Sequence, residues 1–413
     1  MINKKLLIIG HVWPEPRSSA AGSRMMQLIN AFQKEEYEII FASACAKSDN
    51  AFDLSEIGIV QANIEMNHSS FDHFVKSFNP DVVLFDRFMT EEQFGWRVAE
   101  QCPDALRILD TEDLHCLRKG RQQAFKDGKT FNSSYLFNDF SKREMASIYR
   151  CDLSLIISEV EMDILKKEFK MPPDLLLYLP FQLDLISNQE ISRLPNVEDR
   201  QHFVTIGNFL HEPNYNSILY LKETIWPLIR EKLPHAQLHI YGAYASQKVN
   251  QLHHEKSGFL IKGFATDVNE VMAKSKVCLA PLRFGAGLKG KLVDAMKNGT
   301  PCVMTSIAAE GMFGDLEPNG FVVDAPDLIA ENAVLLYENN SIWREKQHHG
   351  FKVLNQRFNK LNFHDGFFND IHHTIRHLKA HRQTNFTGQM LQHHLLQSTK
   401  YMSKWIEEKH KEN

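Results

Sequence analysis

Short apolar segments alternate with amphipathic segments along the first 180 residues. The run Leu6–Ile9 is continuously apolar and ends at Gly10, as a buried parallel strand does. Met25, Leu28 and Phe32 then recur at helical spacing. Further strands are predicted at Ile39–Ala42, Ile57–Val60, Val82–Phe85, Leu106–Leu109, Leu153–Ile157 and Leu175–Leu179. Helices are predicted between several of these strands, notably at Glu91–Glu100 and Asp139–Tyr149. Such alternation predicts a parallel sheet covered by helices.

The pattern repeats in the second half of the chain. Residues 184–200 are rich in Ser, Asn, Glu and Pro, which is typical of a linker between domains. Alternation restarts with His202–Ile206, which ends at Gly207, and continues with a helix through Trp226. Later strands are predicted at Gln237–Tyr241, Phe259–Ile261, Val277–Ala280 and Cys302–Met304. We therefore predict an α/β protein with two Rossmann-like, doubly wound domains, at residues 1–183 and 201–361, followed by C-terminal helices over 362–413.

Composition and charge narrow the class of protein. The 413 residues carry 47 basic and 51 acidic side chains, so the net charge of −4 gives no general attraction to nucleic acid or membranes. Six scattered cysteines form no C-x-x-C pair, which argues against a zinc cluster and favours reduced core thiols. No apolar run approaches the roughly 18 residues that span a bilayer. We expect a soluble, cytoplasmic protein that binds no nucleic acid and at most touches the inner face of a membrane.

One segment, residues 281–296, combines glycines and cations after a predicted strand and at the start of a predicted helix. The glycines are Gly285, Gly287 and Gly290, and the cations are Arg283, Lys289 and Lys291. Glycines allow backbone N–H groups to converge, and a helix N-terminus favours an anion. Three positive charges beside a helix N-terminus are unfavourable unless an anion binds among them. The segment therefore predicts a site for a diphosphate.

Sequence patterns alone leave the class of diphosphate site open. The three glycines satisfy the G-x-G-x-x-G dinucleotide pattern, with Glu310 about twenty residues further on. A dehydrogenase, however, usually carries that pattern in the first βαβ unit of its nucleotide-binding domain. Gly285 and Gly290-Lys291 also nearly satisfy the P-loop pattern, but Leu292 stands where a Ser or Thr must bind magnesium. Each alternative still places a diphosphate at this loop.

Several motifs resemble those of retaining GT-B glycosyltransferases of family four. The resemblance is most specific in the block from Arg283 to Gly311, which includes Ala295–Pro301, Thr305 and Ala309-Glu310-Gly311. Weaker matches lie at Ile206-Gly207-Asn208, Pro213-Asn214, Asp110–Arg118, Arg143-Glu144 and Ser158–Glu161. The segment Asp110–Arg118 resembles the one that carries the cleft histidine of the family. The resemblance implies two Rossmann-like domains that face a cleft.

The resemblance also implies a reaction and a set of site residues. A nucleotide-diphospho-sugar would bind in the cleft as co-substrate, with no other cofactor and no metal, and the sugar would be transferred with retention. The candidate catalytic residues are His115, Arg283 and Lys291. The candidate donor-binding residues are Gly22, Gly207, Asn208, Arg283, Gly287, Leu288, Lys289, Lys291, Asp294, Glu310, Gly311 and Met312. The candidate acceptor-side residues are Asp113, Arg118, Ser158 and Glu159.

One departure from the family concerns its two glutamates, which are often eight positions apart. Here Ala286 and Asp294 occupy those positions. Asp294 can still accept hydrogen bonds from ribose hydroxyls, while Lys289 is expected to take over part of the phosphate-side role. The Gly22–Arg24 segment is either a phosphate or acceptor contact or an N-cap.

The acceptor cannot be read from the sequence and is a glycan, a lipid-linked molecule or a protein. A local basic stretch is either a solvated helix face or a contact with an anionic acceptor; it comprises Arg118, Lys119, Arg121, Lys126 and Lys129. The amphipathic tail after Gly388 carries Leu391, Leu395, Met402 and Trp405. We expect this tail to serve assembly, including a homo-oligomer, or acceptor docking, and to be dispensable for folding of the two domains.

Three other functions remain open at this point. A GT-B sugar-nucleotide epimerase or phosphorylase would use the same donor site without a separate acceptor or with phosphate. A catalytically silent nucleotide-sugar-binding partner protein would keep the site and lose the reaction, and Ala286 favours it. A dehydrogenase would share the glycine pattern.

Overall fold

The computed structural model describes residues 4–411, which form two parallel β-sheets and the helices that cover them. The first sheet has seven strands in the order β3-β2-β1-β4-β5-β6-β7. Its strands are β1 (Lys5–Gly10), β2 (Glu38–Ser43), β3 (Val60–Asn63), β4 (Val82–Asp86), β5 (Leu106–Asp110), β6 (Leu153–Ile156) and β7 (Leu176–Tyr178). Every pair is parallel, and the apolar residues of β1 and β4 are fully buried because helices cover both faces.

Six helices follow the strands of this sheet. They are α1 (Ala20–Lys34), α2 (Ser70–Phe78), α3 (Arg87–Gln101), α4 (His115–Lys126), α5 (Asp139–Arg150) and α6 (Glu159–Lys167). Helix α5 begins with a capping box in which Asn138 and Ser141 bond to each other's backbone N–H groups. Because the strands of this sheet are parallel, the loops that follow the carboxyl ends of β1, β4 and β5 lie at one edge of the sheet, where open α/β sheets bind ligands.

The second sheet has six parallel strands in the order β10-β9-β8-β11-β12-β13. They are β8 (Gln201–Ile206), β9 (Leu238–Tyr241), β10 (Phe259–Gly263), β11 (Ser275–Ala280), β12 (Cys302–Met304) and β13 (Gly320–Val322). The helices from the linker to the end of this domain are α7 (Asn188–Ser192), α8 (Glu212–Tyr220), α9 (Trp226–Lys232), α10 (Gln247–Asn250), α11 (Val268–Lys274), α12 (Gly290–Lys297), α13 (Ser306–Ala309), α14 (Pro326–Glu338) and α15 (Asn340–Arg357). A π-helical turn at Leu221–Ile225 joins α8 to α9.

After α15 the chain returns to the first domain and ends in three helices. These are α16 (His364–Arg376), α17 (Leu378–Thr384) and α18 (Phe386–Lys411). Phe367 and Phe368 of α16 pack edge-on against Phe32 of α1, with ring centroids 5.7 and 5.2 Å away. Helix α18 lies along α3 and α5, and the buried Ser403 accepts a hydrogen bond from Arg97 of α3. The C-terminal helices thus belong to the packing of the first domain.

The predicted fold class is confirmed, with differences in detail. The predicted strand Ile57–Val60 is wrong, since Leu54–Ile57 forms a 3₁₀ turn that Gly58 ends at φ 75°. The strand there is β3, which begins at Val60. Strand β13 was not predicted from the sequence. Among residues 4–411, no helix has the length and apolarity to cross a membrane. Five of the six cysteines are buried, and Cys45 is exposed.

We predict that Phe368→Ala destabilises the first domain. The side chain is 3% exposed and lies in the core between α1 and α16. Truncating a buried phenylalanine costs about 3–5 kcal/mol of unfolding free energy. Urea unfolding of Phe368→Ala and of the control Phe386→Ala, whose side chain is 66% exposed, measures this difference. Equal stability of the two variants would contradict the assignment of α16 to the core.

Candidate functional site

The N-termini of α1 and α12 face each other across the cleft between the domains. A β-carbon placed on Gly290, the first residue of α12, would lie only 2.7 Å from Cβ of Ala20 in α1. Gly290 therefore lets the two helix starts approach. Both ends present backbone N–H groups that have no partner within their own helix. The cleft is thus lined by the positive ends of two helix dipoles.

The loop before α12 is held by the other domain. Gly287 adopts φ 65°, and its N–H group donates a hydrogen bond of 2.8 Å to Oε1 of Glu161 in α6. The same oxygen accepts a bond of 3.1 Å from the N–H of Leu114, which precedes α4. A β-carbon on Gly287 would lie 2.9 Å from Cβ of Asp113. Glycine is thus required by both backbone conformation and space.

The three predicted cations do not all point the same way. Lys289 is buried, and its Nζ donates to the carbonyl oxygens of Ala286, at 2.9 Å, and Gly287. Lys291 donates to Oδ1 of Asn214 at 2.9 Å. Burial lowers the pKa of each lysine to about 8, and the two charges repel each other. The structure therefore brings Lys289 and Lys291 together at the start of α12.

Arg283 is directed away from this pair. Its Nε donates to Oδ1 of Asn216 at 2.8 Å. Its guanidinium lies 4.6 Å from the ring centroids of both Phe125, in the first domain, and Tyr220, in the second. Such cation–π contacts hold the side chain in place between the domains. Arg283 therefore requires a change of side-chain conformation to reach a ligand at α12.

Asn214 links the loop after β8 to Lys291. Its Nδ2 donates to the carbonyl of Asn208 at 3.0 Å, while its Oδ1 accepts from Lys291. A β-carbon on Gly207 would lie 2.6 Å from Cγ of Asn214. Asn208 itself faces the cleft cavity described below, and its Oδ1 accepts from the N–H of Leu210. The predicted residues Gly207 and Asn208 thus lie beside Lys291.

The carboxylates predicted to bind the donor have different surroundings. Asp294 lies three residues after Lys291 on α12, and burial raises its pKa to about 6. Glu310 instead forms two hydrogen bonds, of 2.8 and 2.6 Å, with Arg121 of α4 in the first domain. Arg121 also donates to the carbonyl of Gly285 at 2.9 Å. In this arrangement Glu310 joins the domains.

The remaining donor-side candidates form the apolar support of the loop. The N–H of Lys289 donates to Sδ of Met312 at 3.4 Å. Gly311 has φ 74°, and a β-carbon there would lie 2.7 Å from Oγ of Ser158 and 3.0 Å from Cδ2 of Leu288. These contacts shape the loop, and they place Ser158 of the first domain against Gly311 of the second.

His115 lies at the first position of α4 and is 7% exposed. Its Nε2 is 3.5 Å from Oδ1 of Asp113, and its ring packs edge-on against Phe88 at 5.3 Å. Burial lowers the pKa of His115 to about 3, so the ring is neutral at pH 7. Its backbone N–H donates to Oε1 of Glu144 at 2.7 Å. A neutral imidazole here can donate or accept a hydrogen bond.

The other acceptor-side candidates are engaged by neighbours. Burial acts to raise the pKa of Asp113, but Arg118 and other nearby positive groups lower it to about 2. Arg118 also bonds to Nε2 of His211 in the second domain at 2.8 Å. Glu159 forms an ion pair of 2.7 Å with Arg357 of α15. Both contacts cross between the domains.

Two buried glutamates that hold this geometry were given no role from sequence. Glu144 accepts the N–H groups of His115 and Cys116 at the start of α4, and burial raises its pKa to about 8. Glu161 bridges the domains through Leu114 and Gly287, and burial raises its pKa to about 7. Both residues occur in segments that resemble the family motifs. Without these motifs, the sequence pattern of an amphipathic helix predicts that a glutamate is exposed to solvent.

A cavity of about 240 Å³ lies between the domains beside these groups. Its first-domain walls are residues 12–15, the start of α1, the end of β4 and Glu112, which lies in the loop after β5. Asn208, Leu210 and Tyr244 close it from the second domain. Gly22 lines it within the first turn of α1, since Ser19 is the N-cap of this helix. Arg24 does not reach the cavity, because it bonds to Asp110.

Comparison with known protein families gives a match within the second domain. Residues 200–339 match the family described as "Glycosyl transferases group 1". The match covers about a third of the chain and lies within the second domain. No curated protein matches the chain in sequence.

Solved structures at low sequence identity share this fold. HepE of Anabaena in complex with UDP-glucose is 13% identical over 89% of this chain and 99% of its own, with a TM-score of 0.66. Sucrose-phosphate synthase of Thermosynechococcus elongatus is 13% identical over 92% and 100% of the two chains, with a TM-score of 0.65. A TarM mutant of S. aureus in complex with UDP is 13% identical over 72% of this chain and 57% of its own, with a TM-score of 0.56. The chain therefore has the GT-B fold.

We predict that Glu161→Gln removes part of the fall in unfolding free energy that accompanies a rise in pH. The folded-state pKa of about 7 exceeds the ordinary value of about 4.3, so the folded protein binds more protons at this carboxyl between these pH values. Unfolding free energy therefore falls as pH rises through this window, by up to about 3 kcal/mol for this group. The variant should gain stability relative to the wild type by that amount between pH 4.5 and 8.

Urea unfolding at a series of pH values measures this effect. The control is Glu331→Gln on the exposed surface of α14, which should follow the wild type throughout. If the unfolding free energies of Glu161→Gln and the wild type fall in parallel as pH rises, the pKa of Glu161 is not raised in the folded protein.

Proposed function

We propose that this glycosyltransferase moves a sugar from a nucleotide-diphospho-sugar to an acceptor, with retention and without a metal ion. The observation that carries the proposal is the pair Lys289 and Lys291 at the start of α12. The two ammonium groups repel each other, and burial lowers both pKa values to about 8. A diphosphate would relieve both effects, and the helix N-terminus would add backbone donors. The match to group 1 glycosyltransferases covers this segment.

These groups are useful in a transfer reaction because charge grows on the leaving diphosphate. Fixed cations and N–H groups stabilise a transition state most where charge develops. Lys291 is held by Asn214 and Lys289 by loop carbonyls, so neither must be ordered when the bond breaks. Asp294 lies one helical turn beyond Lys291 on the same face of α12. We assign it to the ribose hydroxyls.

The first domain would supply the acceptor and the contacts to the transferred sugar. His115 is neutral at pH 7, so we assign it a hydrogen bond to a sugar hydroxyl rather than proton donation as an imidazolium. Retention of configuration rests on the resemblance to family-four enzymes. The complex of HepE with UDP-glucose supports a nucleotide-sugar as donor.

A second candidate function is a nucleotide-sugar-binding protein without turnover. Two observations favour it: Ala286 replaces a family glutamate, and Glu310 is bound by Arg121. The two functions differ in one measurement. Incubation with the preferred nucleotide-sugar and a panel of acceptors gives product only if the protein is a transferase.

We predict that Lys291→Ala weakens binding of the nucleoside diphosphate about ten- to a hundredfold, because one charge-assisted hydrogen bond is lost. The nucleoside without phosphates should bind both proteins equally. A thermal-shift panel of UDP-, GDP-, ADP- and dTDP-sugars first identifies the base, since a bound ligand raises apparent stability. Calorimetric titration then measures each affinity.

The matched control is Lys262→Ala, at an exposed position of the same domain, which should bind like the wild type. Turnover of Lys291→Ala should fall further than its ground-state affinity, because the leaving group gains charge in the transition state. Wild-type affinity of both Lys291→Ala and Lys289→Ala for the nucleoside diphosphate would show that the diphosphate binds elsewhere.

We also predict that transfer does not need a divalent metal. Within residues 4–411, no group of three or more His, Cys, Asp or Glu side chains is arranged to hold a metal ion. The lysines and the start of α12 would neutralise the diphosphate instead. Transfer rates measured with and without EDTA should agree. Loss of activity in EDTA that manganese restores would contradict the prediction.

A further inference from the structure

Three carboxyl groups and two guanidinium groups lie together at and beneath the floor of the cavity between the domains. Asp86 ends β4, Asp110 ends β5, and Glu112 lies in the loop that follows. Two guanidinium groups, of Arg24 and Arg87, face these three carboxylates. His11 beside them is neutral at pH 7, because burial lowers its pKa. One carboxyl group is therefore left without a cation of its own, and burial raises the pKa of Glu112 well above its ordinary value.

Asp110 is not that carboxylate. Arg24 donates to it from Nε at 3.0 Å and from Nη2 at 2.9 Å. The two side chains are 1% and 0% exposed, and Arg24 also donates to the carbonyl of Leu179 at 2.7 Å. This closed pair ties α1 to β5 and has no free group for a ligand.

Glu112 and Asp86 line the cavity and remain incompletely bonded. Glu112 is only 9% exposed, and its carboxylate forms no hydrogen bond with any residue in the described part of the chain. Asp86 accepts one bond, from the N–H of His11 at 3.0 Å, while its other oxygen lies 3.8 Å from Nε of Arg87. A buried polar group without a partner costs about 1–3 kcal/mol, and more when charged. The chain itself does not supply these partners.

The volume and charge of the cavity indicate which kind of ligand would supply the missing hydrogen-bond partners of Glu112 and Asp86. The volume of about 240 Å³ equals roughly eight water molecules at about 30 Å³ each, which suits one sugar ring. A third carboxylate in the wall, Glu15, already accepts a bond of 2.7 Å from the hydroxyl of Tyr244. A ligand here must bring hydrogen-bond donors, and a negative group would be repelled. Gly22 and Asn208 line the same cavity, so it adjoins the donor-binding loops.

We infer that Glu112, assisted by Asp86, binds hydroxyl groups of an uncharged sugar acceptor and excludes acceptors that are anionic at this point. This inference rests on the proposed transferase function and names the chemistry of its acceptor. It makes Glu112 a specificity-determining residue of the first domain. The carboxylate accepts hydrogen bonds from the sugar hydroxyl groups and orients the sugar ring, while Arg87 keeps the net charge of the floor small.

The test compares matched sugars on the protein loaded with its preferred nucleoside diphosphate. The probes are methyl glucoside, methyl galactoside and methyl N-acetylglucosaminide, with glucose 6-phosphate and glucuronate as anionic counterparts. Saturation-transfer NMR measures each affinity. At least one neutral glycoside should bind at least tenfold more tightly than the anionic sugars. Glu112→Gln should weaken that binding about tenfold, because one charge-assisted hydrogen bond becomes neutral.

Two further readouts separate recognition from a structural role. Glu112→Gln should leave the affinity for the nucleoside diphosphate unchanged and raise the midpoint of thermal unfolding, since it removes a buried carboxyl group that has no hydrogen-bond partner. The matched control Glu92→Gln, on the surface of α3 and paired with Arg143, should bind the sugars like the wild type. A lowered midpoint in Glu112→Gln together with weaker sugar binding would assign Glu112 to the fold and overturn the inference.

The remaining outcomes are distinct. Tighter binding of the anionic sugars, no binding of any neutral glycoside, or unaltered sugar binding by Glu112→Gln each overturns the inference while nucleoside diphosphate binding stands. Failure of the wild-type protein to bind any nucleoside diphosphate instead removes the proposed function, and this inference with it.

Discussion

The hydrogen bonds of one carboxylate oxygen, Oε1 of Glu161, fix the arrangement on which the site depends. This oxygen accepts the N–H of Leu114, which precedes the His115 helix, and the N–H of Gly287, which precedes the lysines of α12. The two loops come from different domains, and one buried oxygen bonds to both. The price is a carboxyl whose pKa burial raises to about 7. Gly287 makes the contact feasible, because any side chain there would strike Asp113.

Charge is divided between the two faces of the cleft. The second domain presents Lys289 and Lys291 at a helix start, whereas the first presents Asp86 and Glu112 on the floor of the cavity. Such a division suits a reaction in which an anionic leaving group and a hydroxyl-bearing acceptor meet. The carboxyl groups of the first domain would repel an anionic diphosphate, so electrostatics favours its binding at the lysines of the second domain. Arg121 and Glu310 link the faces at the edge of the site.

The fold was predictable because both sheets obey a simple pattern. Buried parallel strands are continuous apolar runs, and Leu6–Ile9 and Cys302–Met304 were recognised on that basis. The glycines and lysines of α12 were recognisable because they are adjacent in sequence. The direction of Arg283 was not, since it depends on Phe125 and Tyr220, which are distant along the chain. Pairings between residues far apart in sequence carry no periodic signal.

The incompletely bonded groups of the cleft point to its ligands. Elsewhere in the described chain, buried charges such as Arg24 and Arg150 find carboxylate partners at hydrogen-bonding distance. In the cleft, Lys291 bonds only to a neutral amide, and Glu112 makes no hydrogen bond. Such groups lower the free energy of unfolding, and a neutral residue at either position would make the fold more stable. Their placement on opposite domains is what the proposed anionic donor and neutral acceptor would require of the cleft.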